Sequence, residues 1–166
     1  MATITAANSV FALTIAGLFD DPIRLQGFAA DDVFSHALVA PVETLMGVDG
    51  FLSGGWTPQP KVQTIALQAD SPSNQYFDQW YSAQETAREV YVADAHVTLQ
   101  SIDVSFHCVK GFLTNYPPMA DARRVLQPRR FSITWESITR VPLPPGNRVL
   151  TGPGAPVTGA GPVVNA

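Results

Sequence analysis

The sequence is short of charge and of cysteine. Only 14% of its 166 residues are charged, against about 25% in an ordinary soluble domain. A surface with so few charges is either rich in neutral polar groups or set against another subunit, and association is the expected reading. One cysteine, Cys108, excludes an internal disulfide and suits synthesis in a reducing cytoplasm. Cations are scarcer than anions: ten Lys and Arg against fourteen Asp and Glu give a net charge of −4. That balance offers no footprint for gripping DNA or RNA. The basic pairs Arg123–Arg124 and Arg129–Arg130 flank an expected strand and read as solvated strand-end or interface charge. No apolar run reaches the length of a membrane span. The opening Met-Ala-Thr-Ile-Thr puts no basic stretch before an apolar run, so no signal peptide is expected.

The residues of catalysis are also missing in pattern. There is no Gly-rich phosphate loop, no Gly-x-Ser-x-Gly elbow and no His-Glu-x-x-His zinc motif. His36, His96 and His107 each fall in an expected strand without a partner at ligand spacing. His107 and Cys108 are neighbours, which in a strand point to opposite faces and cannot act on one atom. The pairs Asp20–Asp21 and Asp31–Asp32 lie where turns are expected, with no glutamate at calcium-loop spacing. No enzyme activity, cofactor or metal is therefore expected.

What is present is a series of short β patterns with one helix. Strands are expected over residues 9–16, 23–28 and 32–38, the first two separated by a turn at Phe19-Asp20-Asp21-Pro22. Another covers 61–69, with Gln63, Ile65 and Leu67 on one face. Ser71-Pro72 then starts a helix running to about residue 89, whose Phe77, Trp80, Tyr81 and Ala87 form an aromatic stripe suited to packing on a sheet. Strands resume over 96–102, 104–112 and 130–138, the last alternating most regularly, with Phe131, Ile133 and Trp135 inward. Many strands and one helix predict a mainly β fold, an antiparallel β-sandwich or distorted barrel with one flanking α-helix.

Two segments do not fit a closed domain. Residues 39–60 hold Asp49-Gly50, the strongest short hairpin signal, between Val42, Leu45, Met46 and Phe51, Leu52, followed by Gly54-Gly55-Trp56. This stretch is too apolar for a solvated loop, so it either folds back on its own core or protrudes to meet a neighbour. From residue 142 proline and glycine dominate, with no acidic residue and only Arg148 as a cation. The expected organisation is a β domain over 1–141 and an extended C-terminal arm over 142–166, disordered alone and docked on a neighbouring subunit.

The run Gly47-Val48-Asp49-Gly50, then Val62-Gln63-Thr64-Ile65-Ala66-Leu67-Gln68, then Ser71-Pro72-Ser73-Asn74 resembles phage tail tube proteins, in which an Asp-Gly turn precedes a strand and a Ser-Pro-Ser-Asn helix start. The resemblance spans about residues 8–138 and ends with the strand Phe131-Ser-Ile-Thr-Trp135. It implies rings of six copies, stacked into a hollow virion tail tube that conducts DNA into the host, with the 39–60 hairpin reaching the adjacent ring. Contacts would then fall on Leu45, Met46, Val48, Asp49, Phe51, Leu52 and Trp56; the arm departs from the family's pattern, and its expected contacts, Val149, Leu150 and Val157, rest on its composition alone. Other implied partners are a tape-measure protein, baseplate and tail-terminator proteins, and a sheath if the tail contracts. With about four strands from each copy, spaced about 4.8 Å and tilted about 40°, the wall would be about 48 Å across. DNA would pass without specific contact, as suits an acidic subunit. The inner tube of a type VI secretion system or tail-like bacteriocin has the same implied geometry. A β-barrel oligonucleotide-binding module is the alternative of another class, and it requires a basic groove with exposed aromatics.

Overall fold

The computed structural model describes residues 6–142. Nine strands form two antiparallel sheets: β1 (Ser9–Ile15), β2 (Phe19–Arg24), β3 (Phe34–His36), β4 (Val42–Met46), β5 (Leu52–Trp56), β6 (Lys61–Leu67), β7 (Ala93–Leu99), β8 (Val104–Asn115) and β9 (Arg129–Pro142). Seven of them lie in one sheet in the order β2-β1-β7-β8-β9-β6-β3, while β4 and β5 pair only with each other. A single helix, α1 (Asn74–Ala87), joins β6 to β7. None of its faces is long and apolar enough to cross a membrane.

The large sheet curls until strands near its opposite ends meet. Phe34 on the terminal strand β3 comes within 6.4 Å of Phe11 on β1, ring centroid to centroid. The result is a distorted barrel left open between β2 and β3, as the mainly β expectation required. Its interior is the single core: Phe11, Leu13 and Ile15 of β1, Ile65 and Leu67 of β6, Val97 of β7, Cys108 of β8, and Phe131, Ile133 and Trp135 of β9. The inward alternation of β9 is as expected, because residues two apart share a face.

Helix α1 closes the concave side. Its Phe77 and Trp80 are fully buried, and Phe77 stacks on Phe131 at 4.2 Å. Tyr81, at the edge of the same stripe, stacks on Tyr116 at 4.3 Å. The helix starts at Asn74 instead of Pro72 because Ser71 and Ser73 are occupied elsewhere. Ser71 Oγ accepts the Ser73 N–H at 3.2 Å, so it caps a turn one step ahead of the helix. Ser73 Oγ accepts the Gln26 N–H at 2.8 Å, and Asn74 Nδ2 donates to the Gln68 and Ala69 carbonyls. The Ser-Pro-Ser-Asn run is thus a clamp that holds the chain after β2 against the helix entry. Gly27 sits in this clamp with φ 70, where an added Cβ would lie 2.7 Å from Ser71 Oγ.

Several boundaries move for identifiable reasons. The Asp20-Asp21-Pro22 cluster lies in β2 itself, and the turn falls one step earlier on Gly17, which has φ 82 and donates its N–H to Asp20 Oδ1. As an edge strand, β2 tolerates a proline whose missing N–H faces solvent. β8 bulges at Lys110, φ 52, whose N–H is taken by Asp94. β9 extends to Pro142, paired to Val104.

Arg129 overturns the expectation of a solvated strand-end charge. It is buried, with its guanidinium 2.8 Å from Asp78 of α1 and donating to the Pro117 carbonyl. Tyr116 also donates to Asp78. Arg130, in contrast, is exposed in a surface pair with Asp32. Burial pushes the Asp78 carboxyl up, but hydrogen bonds from Arg129 and Tyr116 and the Arg129 charge outweigh it and hold the group below its ordinary 3.8. A carboxylate with a depressed folded pKa stabilises the fold above its unfolded value and loses that contribution as pH falls through the folded value. Asp78→Asn should therefore cost about 1–3 kcal/mol at pH 7, less than a fully buried pair because Asp78 is partly exposed. The difference from wild type should shrink below about pH 4, as followed by thermal melts across pH.

Gly111 faces its register partner Trp135, and a Cβ there would lie 2.3 Å from the indole ring. The same indole donates Nε1–H to the buried Gln63 Oε1 at 2.9 Å, so it cannot swing away freely. Gly111→Ala should lower stability in urea unfolding by about 1–3 kcal/mol through overpacking.

Candidate assembly surface

The β4–β5 hairpin is built by its turn. Gly50 N–H donates to the Gly47 carbonyl at 3.0 Å, Gly47 N–H to the Phe51 carbonyl at 2.9 Å, and Gly50 takes φ 84. Asp49 Oδ1 accepts the Phe51 N–H at 3.3 Å. Val48 and Asp49 are the central turn residues and Gly50 follows in the left-handed region, one place later than a two-residue Asp-Gly turn would have it. Asp49 thereby serves the turn itself. Pairing continues past the strands through the Thr57 N–H to the Pro41 carbonyl.

Register sorts the hairpin's side chains. Directly opposed residues share a face, so the pairs Val42/Trp56, Thr44/Gly54 and Met46/Leu52 lie together, while Glu43/Gly55 and Leu45/Ser53 lie on the reverse. One face is apolar and the other is mostly polar. No residue of either strand is buried, and Trp56 keeps 75% and Phe51 74% of their surface exposed. The hairpin therefore protrudes and does not fold back on the core. A two-stranded ribbon with an uncovered apolar face is marginal alone and gains by pairing with a covering surface.

Of the expected contact residues, Met46, Leu52 and Trp56 share the apolar face, Leu45 is on the reverse, and Val48, Asp49 and Phe51 form the tip. Val149, Leu150 and Val157 lie outside the described residues. Val42 was missed, although the alternation Val42-Thr44-Met46 carries the signal; Leu38 and Val39, also exposed, lead into the hairpin. Met119, Val125 and Leu126 form a further exposed apolar group in the β8–β9 connection, where no periodicity marks them.

The groups with latent chemistry are occupied by packing. Burial pushes the Cys108 thiol up to about 11, so it is a protonated core residue and not a nucleophile. It shares an apolar cavity of about 360 Å³ with Phe34, His36, Val97 and Ile138. Burial lowers the pKa of His36, which favours its neutral form. His96 and His107, expected to stand apart, are register partners across β7 and β8 with rings stacked at 4.2 Å. Among the described residues no three His, Cys, Asp or Glu side chains converge as a metal site would need.

Substituting the apolar face, as Met46→Ser, Leu52→Ser and Trp56→Ser together, should leave monomer stability within about 0.5 kcal/mol of wild type. Binding of an apolar dye should fall at the same time. A large loss of stability in chemical unfolding would mean that the hairpin packs on the body after all.

The family described as tail fiber protein gp32 matches residues 2–139. No curated protein matches the sequence. Among solved structures, a chain of the sheath-tube complex of an extracellular contractile injection system in its extended state is similar, with a TM-score of 0.53 at 12% identity, over 85% of this chain and 93% of that one. A chain of the anti-feeding prophage baseplate has a TM-score of 0.52 at 10% identity, over 86% and 99%. A chain of the anti-feeding prophage tube-terminating cap has 0.50 at 13% identity, over 86% and 93%. At these identities the likeness is one of fold.

Proposed function

The chain belongs to the tail fiber protein gp32 family, and on that premise we propose that it is a non-enzymatic structural subunit of a phage tail whose copies close into six-membered rings and stack as a hollow tube. The carrying observation is the protruding hairpin, whose apolar face, Val42, Met46, Leu52 and Trp56, has no cover among the described residues. The sheet left open at β2 and β3 supports the same reading, since unpaired strand edges are sealed when neighbouring copies close a ring. Further support comes from fold likeness to chains of particles described as a sheath-tube complex, a tube-terminating cap and a baseplate. In this reading DNA crosses the lumen without specific contact, and residues 142–166 form an arm that docks on a neighbouring copy. Contacts with tape-measure, terminator, baseplate and, in a contractile tail, sheath proteins belong to the same proposal.

The family's description as a fibre protein favours a second reading, in which copies associate into a solid tail fibre. Negative-stain microscopy of the purified, concentrated protein separates the two. Hollow rings or tubes with a stain-filled lumen are expected. Solid filaments would replace the tube with the fibre, and a protein that stays monomeric at high concentration would overturn both.

A further inference from the structure

β6 fixes where the two uncovered apolar surfaces lie. The hairpin joins the body just before Lys61, which pairs with Trp135 at one end of the β6–β9 ladder. At the other end Leu67 pairs with Arg129, and there the turn after β6 meets the connection from β8 to β9. Seven residues at about 3.3 Å each separate the two ends by about 20 Å. The far end holds an apolar cleft of about 520 Å³ lined by Gln68, Ala69, Asp70, Val125, Leu126 and Pro128. Val125 and Leu126 at its rim are exposed, as is nearby Met119.

Charge is distributed unequally between the two ends. The hairpin carries Glu43 and Asp49 and no cation. Arg123, Arg124, Arg129 and Arg130 lie beside the cleft, and four such residues in eight positions is dense for a chain with ten cations in all. Arg129 and Arg130 are paired with Asp78 and Asp32, whereas the exposed Arg123 and Arg124 side chains make no ion pair among the described residues. Asp70 and Asp121 at the same end temper the field, so apolar contact carries affinity and the arginines set register.

We propose that the β4–β5 hairpin of one copy seats its tip, Val48 and Phe51, in the Val125–Leu126–Pro128 cleft of the next copy. The Asp49 carboxylate at the tip would then lie toward Arg123 and Arg124. The two surfaces differ and the hairpin's base and the cleft lie at opposite ends of the β6–β9 ladder, so the contact is head-to-tail and leaves a fresh hairpin and a fresh cleft after each addition. Such an interface is not self-complementary, and where its rotation does not close a ring it generates a stack. The inference rests on the tube reading and deepens it by naming the surface where one layer grips the next.

Paired cysteines test it. Val48→Cys protein mixed with Leu126→Cys protein under assembly conditions and mild oxidation should give a covalent dimer on a non-reducing gel. Val48→Cys mixed with Lys110→Cys protein, the control on β8, should give at least 10-fold less. A double Val48→Cys, Leu126→Cys chain should give a ladder of multimers. Arg123→Glu with Arg124→Glu should raise the concentration needed for stacking at least 10-fold while leaving the monomer's melting midpoint unchanged. Tubes that form while the Val48 and Leu126 cysteines cross-link no better than the control would overturn this docking site and leave the tube reading standing. Absence of rings and tubes in the wild-type protein would remove both.

Discussion

A seven-stranded sheet with only one 14-residue helix to cover it must bury its apolar face by curling on itself. That constraint governs the rest of the body. Curling needs local relief, supplied by the bulge at Lys110 and by Gly111, whose missing side chain admits the Trp135 ring. It also brings β2 and β9 against the same helix: Tyr76 packs edge-on against Phe19, and Phe77 lies flat on Phe131. Arg129 and Asp78 then fasten the helix to β9 beside that ring stack. Interior volume, helix position and the clamp around Gly27 therefore form one mechanical unit.

Because the body closes its own core, the hairpin owes it nothing. Fully buried side chains such as Phe11, Leu13, Trp80 and Trp135 come from the large sheet and the helix, and none from residues 38–60. In the proposed reading, folding of the body and docking of the hairpin are thus separable in energy, so that a subunit can wait before assembly. Waiting with exposed apolar surface is hazardous. Two features limit the hazard. The reverse face of the hairpin carries Glu43 and Ser53, and the free edge of β2 carries Asp20, Asp21 and Pro22, which deter indiscriminate strand pairing.

Elements with local, periodic signals were legible in the sequence. Phe131-Ser-Ile-Thr-Trp135 announced its inward face, the aromatic stripe announced α1, and Asp49-Gly50 announced a hairpin whose apolar neighbours stay outside the core. What escaped depends on distant partners. Arg129 looked like a solvated cation because its partner Asp78 is 51 residues away. His96 and His107 looked solitary because only the register of β7 and β8 stacks them. Asp20-Asp21-Pro22 read as a turn because its composition is that of a turn, and only its position at a sheet edge makes it a strand. Val125 and Leu126 carried no signal because they sit in an irregular connection, where exposure is decided by tertiary packing.

If the hairpin seats in the cleft of the next copy, the placement of the two surfaces has a consequence for growth. Had the hairpin and the cleft lain on the same end of β6, one copy's hairpin could have reached a partner's cleft reciprocally, and association would have stopped at a two-fold dimer. Their location at opposite ends of the β6–β9 ladder lets copies that share one orientation join end to end. Each added copy instead presents the same unmatched hairpin outward. In that proposed stack length is not limited by the subunit, and a protein that covers the last hairpin or fills the first cleft would be needed to end it. On the proposed docking, the topology of the chain would call for terminating partners, independent of how many copies make one layer.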